Sequence, residues 1–170
     1  MIILIMGVAA CGKSTVGSRL AEAIGATFLE GDDFHPAENI ATMRAGQALT
    51  DAMRLPWLEA IATAASRAQP VAVVIACSAL KRSYREVLRQ RLGAILLVHL
   101  QGSVDEIDVR LRARPGHFMP ASLLASQFST LEVPAPDEDA LVVPVAWDLS
   151  RQVAAIRAWI DSRDAPDLPI

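Results

Sequence analysis

The chain contains few cysteines and no excess of basic residues. Only Cys11 and Cys77 occur among its 170 residues, too few for a disulfide framework or for a four-ligand structural zinc site. This scarcity favours a cytoplasmic protein. Sixteen basic and nineteen acidic side chains give a net charge of −3, which predicts no general attraction to nucleic acid or to anionic lipid.

Long apolar runs, internal repeats and low-complexity tracts are also missing. No apolar stretch approaches the roughly 20 residues that cross a bilayer, and the apolar residues 1–10 lack the basic region that begins a signal peptide. We therefore expect neither a membrane nor a nucleic acid as partner. The length fits one domain over residues 1–170 with a full hydrophobic core.

Short apolar runs alternate along the chain with longer amphipathic stretches. Strands are predicted over residues 2–6, 27–29, 71–77, 95–100 and 141–145. Helices are predicted over residues 13–24, 56–68 and 83–92, after a capping box at Ser103 and Glu106, and after a cap at Asp148. This alternation predicts an α/β fold with a mainly parallel sheet that helices cover on both faces.

The order of the elements also predicts where chemistry takes place. In such sheets ligands bind beyond the carboxyl ends of the strands. The candidate site is therefore expected just after Met6, Leu29 and Cys77, and in the segment after Leu111.

Residues 7–14 match the phosphate-binding pattern G-x-x-x-x-G-K-[ST] at every fixed position. The pattern follows a predicted strand and opens a predicted helix, so that backbone N–H groups and the helix N-terminus can surround an anion. Lys13 can reach the β- and γ-phosphates, and the Ser14 hydroxyl can ligate Mg²⁺. The predicted nucleotide-binding residues are Gly7, Val8, Ala9, Ala10, Cys11, Gly12, Lys13, Ser14 and Thr15.

This loop predicts nucleotide binding but leaves the reaction open among GTPases, transport ATPases and small-molecule kinases. The short chain argues against motor and transporter ATPases, and no N-K-x-D pattern for guanine recognition is present. Within the loop, Cys11 is interpreted as a small filler that faces the loop interior. Cys77 ends a predicted strand and is interpreted as a core residue.

An acidic segment, residues 30–36, follows the second predicted strand. A carboxylate here, beside the phosphate loop, can orient a substrate hydroxyl and accept its proton, or hold water on Mg²⁺. The alternative is a polar turn with acidic caps.

Together with these two segments, several others resemble the gluconate kinase family of P-loop small-molecule kinases, which is related to the shikimate kinases. They are residues 39–43 and 46–51, R-L-P-W-L at 54–58, C-S-A-L-K-R-S-Y-R at 77–85, G-H-F-M-P at 116–120, and S-Q-F-S-T-L-E at 126–132. The resemblance implies a three-layer sandwich with a five-stranded parallel sheet, like the nucleoside-monophosphate kinases, and a mobile lid at about residues 114–127. It also implies a homodimer, with ATP and Mg²⁺ as cofactors and D-gluconate phosphorylated at its 6-hydroxyl.

The resemblance also suggests roles for individual residues. The carboxylate of gluconate needs a cation and its hydroxyls need polar partners, and the predicted substrate-binding residues are Asp32, His35, Arg54, Lys81, His117 and Gln127. The predicted catalytic residues are Lys13, Asp32 and Arg114, and the predicted Mg²⁺ ligands are Ser14 and Asp32.

Two arginines at or just before the start of the predicted lid, Arg110 and Arg114, share one helical face. Arg110 is assigned to the adenine of the nucleotide and Arg114 to the transferring phosphate, and a solvated basic helix end is the alternative. Arg85 and Arg89 are interpreted as a solvated basic face.

Some positions depart from the family pattern. Ala9 and Ala10 stand where the family has Ser-Gly, so Ala10 is expected to be strained if the loop requires a positive φ there. Ala52 and Met53 replace an acidic pair before Arg54. Two other functions stay open: a kinase for another sugar acid or a shikimate-like acid, and a nucleotide-binding regulator without catalysis.

Overall fold

The computed structural model describes residues 1–68, 72–113 and 121–164. Five parallel strands form one sheet in the order β2-β3-β1-β4-β5. The strands are β1 (Ile2–Met6), β2 (Thr27–Glu30), β3 (Val73–Ala76), β4 (Ile95–Gln101) and β5 (Leu141–Pro144). All five lie within the predicted positions to one or two residues at each end.

Helices cover both faces of this sheet. They are α1 (Lys13–Ile24), α2 (Ala37–Arg44), α3 (Asp51–Arg67), α4 (Arg82–Leu92), α5 (Val104–Arg112), α6 (Ala121–Thr130) and α7 (Leu149–Asp164). Two short 3₁₀ helices, Gly31–Phe34 and Pro136–Glu138, follow β2 and precede β5. The predicted three-layer α/β sandwich with a five-stranded parallel sheet is confirmed.

The central strand β1 is buried along its whole length because it is covered on both faces. Ile3 and Ile5 pack with buried residues of α1 and α7 on one face, whereas Leu4 and Met6 pack with those of α3 and α4 on the other. These two cores fix the helices relative to the carboxyl ends of the strands. They therefore fix the loops that carry the candidate site.

Predicted caps are present where the sequence indicated them. Ser103 and Glu106 form the capping box of α5, and Asp148 Oδ1 accepts a hydrogen bond from the Arg151 N–H at 2.8 Å. Gly25 ends α1 in the left-handed region, with φ 66°.

The helix predicted to begin at Pro56 in fact begins at Asp51, five residues earlier. The side chain of Thr50 caps it by accepting a hydrogen bond from the Met53 N–H. The sequence prediction was wrong because proline is favoured in the first turn, whereas here Pro56 lies one turn further along and costs the helix a single hydrogen bond.

Gly31 brings the loop after β2 close against β3. A Cβ atom at this position would lie 2.5 Å from the Ala76 carbonyl oxygen and 3.3 Å from the Cys77 Cβ. Only glycine permits this approach, which places the following residue, Asp32, beside the ends of the central strands.

Within the three described ranges, no helix is both long enough and apolar enough to cross a membrane.

Candidate active site

A cleft of about 870 Å³ opens at the carboxyl ends of the strands. Its lining comes from the loop after β1, the start of α1, the 3₁₀ helix after β2, the end of α2 with residues 47–49, the loop after β3, and parts of α3, α5 and α6. Its polar lining includes Lys13, Ser14, Asp32, His35, Arg54, Ser78, Arg110 and Gln127. The cleft lies where the order of strands and helices predicts it.

The loop between β1 and α1 has the backbone of an anion cradle. Gly7 has φ 142°, and a Cβ atom there would lie 2.8 Å from the Leu100 carbonyl oxygen. Gly12 has φ 103° and Ala10 has φ 61°, so Ala10 adopts the left-handed conformation that the departure from glycine made questionable. The Cys11 side chain is fully buried and its Sγ lies against Gly7, as expected for a small filler of the loop.

Lys13 and Ser14 begin α1 at the rim of this cradle. The Lys13 ammonium group donates a hydrogen bond to the Val8 carbonyl at 2.9 Å, so it is folded over the loop. Backbone N–H groups, one ammonium and one hydroxyl form a donor set that fits a triphosphate. The Ser14 hydroxyl and the Asp32 carboxylate, both in the cleft lining, are hard oxygen ligands of the type that Mg²⁺ takes together with phosphate oxygens.

Gln127 of α6 contacts the phosphate loop directly. Its Oε1 accepts a hydrogen bond from the Ala9 N–H at 2.6 Å, across 118 residues of sequence. Gln127 is predicted to bind substrate, and the structure places it in the cleft but with its amide oxygen on the loop. This bond links α6 to the residues that would meet the terminal phosphate of a nucleotide.

The 3₁₀ helix Gly31–Phe34 carries Asp32 into the cleft, where 76% of its side chain is exposed. The Trp57 indole N–H donates to the Gly31 carbonyl at 2.7 Å and anchors this helix to α3. The His35 ring stacks on Trp57, with ring centroids 4.2 Å apart and planes 13° from parallel. Asp32 is therefore an exposed carboxylate on a rigid support.

The His35 side chain is buried beside the Asp32 carboxylate, with 4% of its surface exposed. Burial lowers its pKa below the ordinary value of 6.5, the nearby Asp32 carboxylate opposes this, and the Arg54 guanidinium adds to it. Its Nε2 lies 3.8 Å from Asp32 Oδ1. The side chain is thus placed to act as a hydrogen-bonding group beside the carboxylate.

Arg54 of α3 reaches the cleft with an unsatisfied donor. Its Nε is buried and has no hydrogen-bond partner among the described residues, while its guanidinium carbon lies 5.5 Å from the centre of the Tyr84 ring. A buried donor without an acceptor is costly, so this nitrogen indicates an anionic or polar ligand at the same place.

Lys81, predicted to bind substrate, is held beside the cleft rather than in its lining. Its ammonium donates to both carboxylate oxygens of Asp51 at 2.8 Å, and the Tyr84 hydroxyl donates to Asp51 Oδ1 at 2.6 Å. The hydrogen bonds from Lys81 and Tyr84 lower the pKa of Asp51. This cluster joins the first turns of α3 and α4 next to Arg54.

Of the two arginines predicted to bind ATP, Arg110 lies within the described residues and Arg114 does not. Arg110 lines the cleft and donates a hydrogen bond to the Val145 carbonyl, which follows β5. Its predicted contact with adenine stays a prediction. Arg114 and His117 lie outside the described residues, as do residues 114–120 of the predicted lid, whereas residues 121–127 belong to α6.

The interpretation of Arg85 as part of a solvated basic face on α4 is wrong, because its side chain is buried. Its side chain is 1% exposed and pairs with the equally buried Glu138 through two hydrogen bonds, of 2.6 and 2.7 Å. Arg85 Nη1 also donates to the carbonyls of Ala79, Leu80 and Glu132. Arg89, 23% exposed, joins the same carboxylate at 3.0 Å.

The Arg85–Glu138 pair fixes the loop after β3. This loop contains Ala79 at φ 40° and Ser78, whose carbonyl accepts a hydrogen bond from the Gly7 N–H at 3.3 Å. No role was predicted for Ser78, although it lies within a family-matching segment. The buried pair therefore supports one wall of the cleft. The sequence does not predict this pair, because Glu138 lies 53 positions away from Arg85.

Comparisons with known proteins agree with this geometry. A family described as an AAA domain matches residues 2–134. A gluconokinase of Gluconobacter oxydans is 50% identical over 144 residues, which cover 83% of this chain and 80% of that protein. A thermoresistant gluconokinase of Escherichia coli is 42% identical over 158 residues, covering 91% of this chain and 90% of that protein.

A crystal structure shows the same likeness in three dimensions. A gluconokinase from Sinorhizobium meliloti superposes with a TM-score of 0.82 at 42% identity, covering 96% of this chain and 97% of that one. Identity of this level over nearly the whole length extends from the phosphate loop to the last helix. The chain belongs to the gluconokinase family.

Proposed function

We propose that this chain transfers the γ-phosphate of ATP to the 6-hydroxyl of D-gluconate, giving 6-phospho-D-gluconate and ADP. The observation that carries the proposal is one cleft that combines a phosphate cradle with Lys13, the exposed carboxylate of Asp32, and the unsatisfied guanidinium nitrogen of Arg54. Membership of the gluconokinase family supports gluconate as the acceptor.

The nucleotide and the acceptor bind on opposite sides of the cleft, and different residues act on each. On the nucleotide side, the loop N–H groups and Lys13 hold the phosphates and neutralise charge on the transferring group. On the acceptor side, Asp32 orients the attacking hydroxyl and accepts its proton. Mg²⁺, held by Ser14 with Asp32 nearby, would supply further charge neutralisation at the phosphates.

Binding of the acceptor follows from the charges that face the cleft. Gluconate is an anion with hydroxyls along its chain, and a guanidinium is well suited to a carboxylate. Arg54 supplies that cation, and His35 and Asp32 supply a hydrogen-bonding pair for hydroxyls. Lys81, His117 and Gln127 remain predicted partners of the substrate, and Arg110 and Arg114 predicted partners of ATP.

The acceptor is tested by a coupled assay of ADP formation across a panel of sugar acids and shikimate. We expect Mg²⁺-dependent turnover of D-gluconate with the highest kcat/KM in the panel. A higher value for another acid would make the chain a kinase of that acid. ATP binding without turnover of any acceptor would favour the nucleotide-binding regulator.

Replacing Lys13 with alanine should lower kcat for gluconate by about 10²-fold or more, because the variant loses a cation at the transferring phosphate. Arg19→Ala, which removes an exposed cation from the same helix α1, is the matched control and should keep the wild-type kcat. Steady-state kinetics on folded proteins measures both. A Lys13→Ala enzyme with near-normal kcat would remove this residue from the mechanism.

Several further features remain proposals that rest on the sequence and on the family resemblance. They are a single domain over residues 1–170 with a lid at about 114–127, a homodimer, a cytoplasmic location and a requirement for Mg²⁺. Sedimentation analysis of the purified protein tests the dimer, and turnover in the presence of a chelator tests the metal.

A further inference from the structure

Asn39 is the one buried residue of α2, with 3% of its surface exposed. Its amide nitrogen Nδ2 lies 3.0 Å from the Met53 carbonyl oxygen and 3.3 Å from the His35 Nδ1. The side chain therefore ties α2 to both α3 and the histidine beside Asp32. No sequence pattern predicts a role for Asn39 itself, although it begins the family-like segment 39–43.

The contact with the Met53 carbonyl fixes the orientation of the Asn39 amide group. A backbone carbonyl oxygen only accepts hydrogen bonds, so the amide atom that faces it is the NH₂ group. This group has two N–H bonds, so with one on Met53 the other can donate to His35 Nδ1, 3.3 Å away. Nδ1 must then accept, and the proton of the neutral imidazole lies on Nε2.

The His35 ring is held in place on its other sides as well. It stacks on Trp57 at 4.2 Å, and Trp57 is itself bonded to the Gly31 carbonyl. With Nδ1 on Asn39, the opposite nitrogen Nε2 faces Asp32 Oδ1 at 3.8 Å. This separation is too long for a direct hydrogen bond, yet short enough that one hydroxyl can contact both atoms.

We propose that Asn39 is a positioning residue that holds His35 in the Nε2–H tautomer, so that His35 and Asp32 bind one substrate hydroxyl as a donor and an acceptor. The hydroxyl accepts a hydrogen bond from His35 Nε2–H and donates its own proton toward Asp32. The kinetic part of this proposal rests on the proposed function, whereas the tautomer does not.

The tautomer matters because the opposite one would give the site the wrong polarity. With the proton on Nδ1, Nε2 and the Asp32 carboxylate would both be acceptors, and a single hydroxyl proton can satisfy only one of them. A methyl or hydrogen in place of the hydroxyl would satisfy neither partner. The pair thus favours polyol acceptors, and Asn39 maintains its polarity from outside the cleft.

The tautomer is measured directly by long-range ¹H–¹⁵N correlation spectra of the ¹⁵N-histidine-labelled protein without substrate. We expect the His35 signals, assigned by their loss in His35→Gln, to show a bare Nδ1 and a protonated Nε2. A proton on Nδ1, or on both nitrogens at neutral pH, would overturn the proposal. A different acceptor from gluconate would leave this result unchanged, so the two proposals fail separately.

The kinetic test uses Asn39→Asp. The new carboxylate only accepts hydrogen bonds, so the ring proton is expected on Nδ1, which the same spectra verify. At a pH where the spectra show a neutral ring, kcat/KM for gluconate should fall roughly 10-fold, the usual cost of an unpaired buried polar group, while KM for ATP stays within about 2-fold.

Two comparisons separate positioning from a general loss of structure. Gln152→Glu is the matched control, since Gln152 is also a buried amide (4% exposed) that donates to a backbone carbonyl, that of Pro144, but lies outside the cleft lining; it should leave kcat/KM unchanged. In a His35→Gln background the donor no longer depends on a tautomer, so Asn39→Asp should cost much less there. An equal loss in both backgrounds would overturn the proposal.

Discussion

Asp32→Asn is expected to lower kcat for gluconate phosphorylation by about 10³-fold while the affinity for ATP stays nearly unchanged. The asparagine keeps the size and polarity of the side chain but cannot take the proton of the attacking hydroxyl. Asp32 is well placed for this task because its 3₁₀ helix is anchored by Trp57 while its carboxylate stays exposed in the cleft. Steady-state kinetics and calorimetric titration with ATP measure the two quantities.

The neighbouring carboxylate provides a matched control for this variant. Asp33 lies on the same 3₁₀ helix and is exposed, but it is not part of the described cleft lining. Asp33→Asn should therefore keep the wild-type kcat. If Asp32→Asn lost ATP affinity and kept its turnover, Asp32 would act on the metal or on the structure and the base would have to be found elsewhere.

Most of the sheet was predictable from the sequence because its strands are buried on both faces. Such strands appear as continuous apolar runs, and β1 matches its predicted bounds residue for residue. Helices that bury one apolar stripe were also predicted, as α1 and α7 show. Burial of a periodic apolar face is the common cause in both cases.

Two helices, α2 and α6, were missed. The helix α2 buries only Asn39, a polar residue, and so has no apolar period to detect. The helix α6 was likewise not predicted, although Ser126 and Gln127 lie within a segment that resembles the family. Contacts with distant residues position both helices: Asn39 of α2 bonds to the Met53 carbonyl, and Gln127 of α6 accepts from the Ala9 N–H while Leu124 packs in the core. A local pattern does not contain such partners.

In the candidate site, the sequence predicted which residues take part but not which residues they contact. Motif spacing indicated Lys13, Ser14 and Asp32, and the structure brings all three to one cleft. The partners of these and other site residues were not predictable, since Lys81 pairs with Asp51 across 30 residues and Arg85 with Glu138 across 53. Which carboxylate a cation meets depends on how distant elements pack, α3 on α4 for Lys81 and the 3₁₀ helix Pro136–Glu138 on α4 for Arg85, and not on spacing within one helix.

Replacing Glu138 with glutamine should lower the free energy of unfolding by about 3 kcal/mol or more, the cost of leaving one partner of a buried ion pair without the other. Arg85 would keep its charge at 1% exposure while losing its carboxylate. Urea unfolding followed by tryptophan fluorescence measures the change. Because Arg85 also holds the carbonyls of Ala79 and Leu80, kcat/KM for gluconate should fall in the same variant.

The adjacent residue offers a control of the same chemistry at the surface. Asp139 has φ 49°, a conformation that asparagine tolerates, and pairs with Arg163 in a solvent-exposed ion pair. Exposed pairs contribute little, so Asp139→Asn should leave the urea midpoint nearly unchanged. A similar loss in both variants would show that burial of the Arg85–Glu138 pair is not what stabilises this region.

The pH dependence of the Glu138→Gln effect follows from the direction of the pKa shift. Burial alone would raise the pKa of Glu138, but the hydrogen bonds from Arg85 and Arg89 lower it from 4.5 to about 2. A carboxyl with a depressed pKa stabilises the fold fully above its unfolded value, and this stabilisation is lost as the pH falls toward the folded value. Since glutamine resembles the protonated carboxyl, the difference in unfolding free energy between wild type and variant should be constant above about pH 5 and shrink between pH 4.5 and 2. A difference that stays constant down to pH 3 would mean that the charge of Glu138 does not stabilise the protein.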